Sequence, residues 1–194
     1  MEAALVTPTN DGAMVVLAAG YSSVSTAVEA YDAVWVVYQE QSADRTSYCD
    51  AAVIDAHPSN TEHRSRVIRE TPRQQRARGA HVEGLATRLG RYLGEGLALT
   101  GGPAGGGGQD FLATADTTEA AEPLDSADLN KLGAVQEASP VVLIGIFPAA
   151  MIEDITSATM SADQRASTQV RANAGQLEAQ IVRAEQKSIA DLGR

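Results

Sequence analysis

Cys49, Asp50, Asp55, His57, Glu62, His63 and His81 are the residues whose types could assemble a nucleophile or a transition-metal site, and they fall in one stretch of the chain. A thiolate beside an imidazole is the simplest nucleophile and base pair, and the same groups with carboxylates are the ligands of zinc. Cys49 with His57 or His63 supplies the first two members of a triad, but nothing marks a third group that would orient the base. His57 and His63 flank one turn-forming run, and their spacing matches no zinc signature. Loop histidines left in solvent and a small buried cysteine account for the same residues. Asp50 and Asp55 lie five apart on an expected strand, which sends them to opposite faces and separates them as an acid and base pair.

The remaining catalytic patterns fail on single residues. Gly20-Tyr21-Ser22-Ser23-Val24 lacks the second glycine of a nucleophile elbow. Gly102 and Gly107 have the spacing of a phosphate loop, but Gly108 and Gln109 follow where lysine and a hydroxyl residue are needed. Gly94-Glu95-Gly96 is followed by Leu-Ala-Leu, which breaks a dinucleotide fingerprint. The sequence therefore assigns no catalytic residue, no metal ligand and no cofactor, and the reading is non-enzymatic.

Charge is segregated. Arg64, Arg66, Arg69, Arg73, Arg76, Arg78, Arg88 and Arg91 lie close together, whereas no Lys or Arg occurs between Tyr92 and Asn130. Forked guanidinium contacts make Arg64, Arg66, Arg69, Arg73, Arg76 and Arg78 candidate contacts for an anionic ligand, an acidic protein partner or nucleic acid. Two other readings are a solvated face, and pairing with Asp110, Asp116, Glu119, Glu122, Asp125 and Asp128 of the same or a neighbouring subunit. The solvated and pairing readings are preferred, because Tyr92 is the lone interleaved aromatic and a single-strand binder needs several as stacking platforms. The net charge of −10 further disfavours nucleic acid.

These residues must be positioned by a core poor in large side chains. The chain has 194 residues, of which 44% are hydrophobic and only 4% aromatic, so Val, Ile, Leu and Ala must fill its interior and a partner subunit is expected to share the burial. One cysteine forms no intrachain disulfide, and the first residues carry Glu2 where a leader would be basic, so a cytoplasmic protein is expected. Peripheral attachment to an inner membrane is the membrane-related option, with no span.

Ala13–Ala19 reads as a first buried strand after a flexible tail over 1–12. Val24, Ala27, Val28, Tyr31, Val34, Trp35 and Tyr38 recur at helical steps, with Ser22 or Ser23 as N-cap. Cys49–Ala56 and Ser65–Thr71 are two strands expected to pair as a hairpin. From Arg73 to Leu99 the period is helical, and Ala86, Gly90, Gly94 and Ala98 form a small-residue ridge four apart. Such a ridge lets helix backbones approach closely, as in membrane dimers, but Arg78, Glu83, Arg88, Arg91 and Glu95 interrupt the segment and favour soluble packing. Gly101–Gly108 ends that helix, and Gln109–Pro123 reads as a mobile acidic excursion. Leu124–Glu137 predicts a helix, Pro140–Pro148 a central strand, and Met151–Ile155 a brief helix. Ser161 with Gln164 predicts the capping box of a long amphipathic helix over 161–194.

This order predicts an α+β fold: one domain over 13–160, with a ferredoxin-like antiparallel sheet covered by helices on one face. A glycine-rich helical hairpin and acidic loop at about 73–137 would be inserted before the last strand.

Cys49-Asp-Ala-Ala-Val-Ile-Asp55, the arginine-rich strand, Gly79 and Gly84 opening the glycine-spaced segment, and Leu132-Gly133 ahead of Ser139-Pro-Val-Val-Leu-Ile144 resemble an uncharacterised bacterial family. That family is described as stress-associated or predicted membrane proteins, with a ferredoxin-like half and a glycine-zipper helical hairpin. The resemblance spans roughly residues 13 to 160 and supplies no catalytic residues. Here the hairpin is charged where the family tends to be apolar. The function expected is that of a stress-associated or accessory protein acting by self-association through Ala86, Gly90, Gly94 and Ala98, hence a homo-oligomer. The alternative is a module that binds an anionic ligand or nucleic acid through Arg64 to Arg91.

Overall fold

The computed structural model describes residues 13–41, 48–56, 66–71, 84–99 and 124–192. In chain order these form β1 (Ala13–Tyr21), α1 (Val24–Gln41), β2 (Asp50–Asp55), β3 (Arg66–Glu70), α2 (Leu85–Leu99), α3 (Ser126–Ala138) and β4 (Val141–Pro148). A short 3-10 turn then leads into α4 (Ile152–Ala158), followed by β5 (Gln164–Arg171) and α5 (Ala174–Leu192). The tail over 1–12, the start of the expected helix at Arg73 and the acidic excursion Gln109–Pro123 lie outside the described residues.

Five strands make one antiparallel sheet in the order β3-β2-β4-β1-β5. β4 pairs antiparallel with both β1 and β2, so these two strands run parallel with β4 between them. The expected hairpin is present: β2 and β3 pair antiparallel, with a register shift between Val53 and Ile54. β4 takes the central place because its first seven residues are buried, a pattern that only a strand covered on both faces tolerates.

Helices cover both faces, not the one face that the sequence suggested. The reason lies in β1, where Met14, Val16 and Ala18 point to one side and Leu17, Ala19 and Tyr21 to the other, all buried. A bare face would leave one of these apolar sets in water. α1 and α4 pack over Leu17, Val53, Leu143 and Phe147 through Tyr31, Val34 and Ile155. α2, α3 and α5 pack over Val16, Ile54, Ile144 and Ile146 through Leu85, Leu89, Leu132 and Leu177. Each such large side chain contributes about 1.5 to 3 kcal/mol when fully buried.

The C-terminal part also differs from the expected single helix over 161–194. Residues 164–171 form β5 along the edge of β1, and the long helix starts at Ala174 instead of Ser161. Asn173 and Gln176 bond reciprocally, backbone N–H to side-chain oxygen at 3.0 and 2.9 Å, so the capping box exists twelve residues downstream of the expected one. β5 also means that the segment before β4 is not inserted before the last strand.

Candidate functional site

The small-residue ridge of α2 faces the chain's own sheet. Ala86 is fully buried, and a Cβ on Gly90 would overlap Ile54 Cδ1 and come within 3.1 Å of Ile144 Cγ1. Only glycine lets the helix lie this close to β2 and β4. Gln136 of α3 donates its Nε2 to the Gly90 carbonyl at 2.9 Å, which ties α3 to the same turn. Gly94 is half-buried, and the side chain of Ala98 lies outside what is described. The close approach offered by Ala86 and Gly90 is therefore made within one chain.

The start of α2 is held by Asp50, which the sequence presents only as an acid at a strand end. Gly84 accepts the first helical bond, from Arg88 N–H at 3.0 Å, but has no side chain to cap the helix. Asp50, buried at the start of β2, fills that role: its carboxylate accepts from Ala86 N–H at 3.0 Å and from the Tyr48 hydroxyl at 3.2 Å. A Cβ on Gly84 would stand 2.9 Å from Asp50 Oδ2, so the missing side chain makes room for the borrowed cap. The arrangement is a structural joint between β2 and α2.

Neighbouring Cys49 has its thiol pushed up from 9.0 to about 12, by burial first and by the Asp50 charge second. A thiol held protonated is a poor nucleophile. His57, His63 and His81 lie outside the described residues, among which no group of three His, Cys, Asp or Glu side chains is placed to hold a metal ion. Asp50 and Asp55 fall on opposite faces of β2 as expected.

Of the six candidate anion contacts, Arg66 and Arg69 are described and Arg64, Arg73, Arg76 and Arg78 are not. Arg69 pairs with Asp32 at 2.9 Å and lies 5.4 Å from the centre of the Tyr31 ring. Arg88 pairs with Glu178 at 3.7 Å. These partners lie in α1 and α5 and are not the acids expected from the sequence, of which Asp110, Asp116, Glu119 and Glu122 lie outside the described residues. Asp125 instead caps α3, accepting from Asp128 N–H at 2.8 Å, and the Asp128 carboxylate accepts from the Thr168 hydroxyl at 2.6 Å.

No family model, curated protein or solved structure matches the chain.

The two sheet edges differ. In an antiparallel sheet each residue sends its N–H and C=O to the same side and the next residue to the other. Ala56 N–H donates to Pro140 C=O at 2.9 Å, so even-numbered residues of β4 face β2 and odd-numbered ones face β1. Carried through the two β1 registers, this turns the even-numbered residues of β5 towards β1 and the backbones of Arg165, Ser167, Gln169 and Arg171 outwards. Lys131 Nζ donates to the Ser167 carbonyl at 2.8 Å, and among the described residues this is the one hydrogen bond that reaches the outward backbone of β5. β3, on the opposite edge, has five residues, a register irregularity and exposed Arg66 and Arg69, which are features that protect an edge from pairing. β5 has eight residues in unbroken register. Sequence reasoning missed it because Gln164–Arg171 contains few β-formers.

Proposed function

We infer that this chain is a non-enzymatic accessory protein that works by self-association. The observation that carries the reading is a sheet covered on both faces whose β5 edge is long, regular and, among the described residues, paired with no further strand. An unpaired edge of this kind is a template for a further strand. The half-buried Cys49 thiol, whose pKa is pushed up to about 12, argues against a cysteine nucleophile. The resemblance supplies a setting, that of bacterial stress-associated proteins. Two structural features support it: β4 lies between β1 and β2 with β5 beside β1, the strand order that a ferredoxin-like reading needs once β3 is set aside, and α2 packs against α3. No helix among the described residues is long and apolar enough to cross a membrane. The rival anion-binding reading is the weaker one, because carboxylates of the chain itself hold Arg69 and Arg88.

Sedimentation over a concentration series tests the proposal. The weight-average mass should rise from the monomer towards twice that value. A mass that stays monomeric at the highest attainable concentration overturns it.

A further inference from the structure

Besides the edge, three places hold polar groups in the interior: Asp50 at the start of α2, Gln136 Oε1 and the Tyr21 hydroxyl. Asp50 is engaged by the chain's own groups, and Gln136 Oε1 and Tyr21 Oη are single buried atoms without a partner among the described residues. None collects the several convergent polar groups that a ligand needs. The β5 edge has a geometry that selects its occupant.

We propose that the occupant of the β5 edge is the β5 strand of a second copy, added antiparallel about Ser167 to make a ten-stranded continuous sheet. The proposal rests on the self-association reading and names its surface. Strands add to an open edge through main-chain bonds, and the chemistry at the two ends of the strand sets which partner and register fit. Exposed Asp163 precedes β5 and exposed Arg171 ends it, so the strand carries opposite charges at its two ends. An antiparallel copy brings each Asp163 beside the other copy's Arg171, twice by symmetry.

Parity narrows the register further. Only odd-numbered residues present their backbone outwards, so odd must pair with odd. Centring on Ser167 sets Ser167 opposite Ser167 and Arg165 opposite Gln169, overlaps the strands over residues 164–170, and brings the Asp163 side chain level with Arg171, the Asp163 N–H itself being donated to the Gly20 carbonyl at 2.9 Å. Sliding so that Thr168 is central sets Arg165 against Arg171, and sliding so that Ala166 is central sets Asp163 against Gln169 and loses the ion pairs. The Ser167 and Thr168 registers overlap equally, and charge pairing selects the Ser167 register.

Lys131 is the guard of this edge. In the single chain its ammonium bonds the Ser167 carbonyl that the partner's Ser167 N–H must reach. Pairing therefore requires Lys131 to swing away, which keeps association weak and makes it depend on one side chain.

The test compares sedimentation of the full chain with four variants. Ser167→Pro removes an N–H that points away from β1, so the fold should keep its circular dichroism while association weakens at least tenfold. Lys131→Ala should tighten association about threefold to fivefold. Asp163→Arg should weaken it about tenfold through like-charge contact, and Asp163→Arg combined with Arg171→Asp should restore it. These swaps leave the backbone untouched and serve if Ser167→Pro does not fold. A folded Ser167→Pro that associates like the wild type overturns the edge assignment, and a double swap as weak as the single one overturns the register. Both results would leave self-association standing, whereas a wild type monomeric throughout removes the wider reading as well.

Discussion

Gly90 shows how one residue type carries two opposite functional readings until its neighbours are known. Its spacing from Ala86 and Gly94 suggests a surface for a second helix, yet the space beside it belongs to Ile54 and Ile144. Gly90→Leu should therefore lower stability by about 1 to 3 kcal/mol through overpacking, seen as an earlier denaturant midpoint, and leave the association constant of the folded fraction unchanged. Asp50→Ala should cost about 1 to 2 kcal/mol by the same measurement, because the first turn of α2 loses its cap. Half-buried Cys49 and buried Tyr21 predict the response to alkali. Burial pushes Cys49 up from 9.0 to about 12 and Tyr21 up from 10.0 to about 12, the latter against a lowering influence from Arg165. Both hold their protons more tightly folded than unfolded, so their contribution is complete below about pH 9 and is lost as the pH rises towards about 12. Denaturation midpoints should be level on the neutral side and fall across that alkaline window. Tyr21→Phe should flatten part of the fall and be neutral or slightly stabilising at neutral pH, since the hydroxyl it removes has no partner among the described residues.

At the scale of elements, legibility followed local pattern. β1 and β4 stood out because continuous apolar runs bounded by glycine, proline or polar turns have few alternatives, and α1 because its apolar residues keep a helical period. β5 was not legible. Ser161 with Gln164 and Asn173 with Gln176 carry the same capping signature, and between them Thr168 and Val170 are the only β-branched residues. Pairing with β1 chooses between them, and that contact is not written in the local sequence. The borrowed cap of Asp50 was hidden for the same reason, since its acceptor and donor lie 36 positions apart. Asn173→Ala should cost about 0.5 to 2 kcal/mol, read from thermal melts followed at the helical signal, whereas Ser161→Ala should change little because exposed Ser161 caps no helix.

For the whole molecule, the two covered faces explain how a chain with few aromatics can bury a core: the sheet contributes both sides of β1, β2 and β4 to it. Covering both faces also leaves the edges as the places where the sheet itself can grow. The position of β4 has a further consequence, one of timing. β1 and β2 flank a gap that only β4 fills, and Leu17 meets Gly145 across a loop of more than half the chain. During synthesis the β2–β3 hairpin and α1 can form early, but the sheet cannot close until β4 has left the ribosome, so closing that long loop should set the folding rate. Nascent chains halted before Val141 should be protease-sensitive and lack a cooperative transition, and resistance should arise abruptly once β4 has emerged. Until then, apolar β1 and β2 wait for their common neighbour, and a chaperone would find its substrate in this interval.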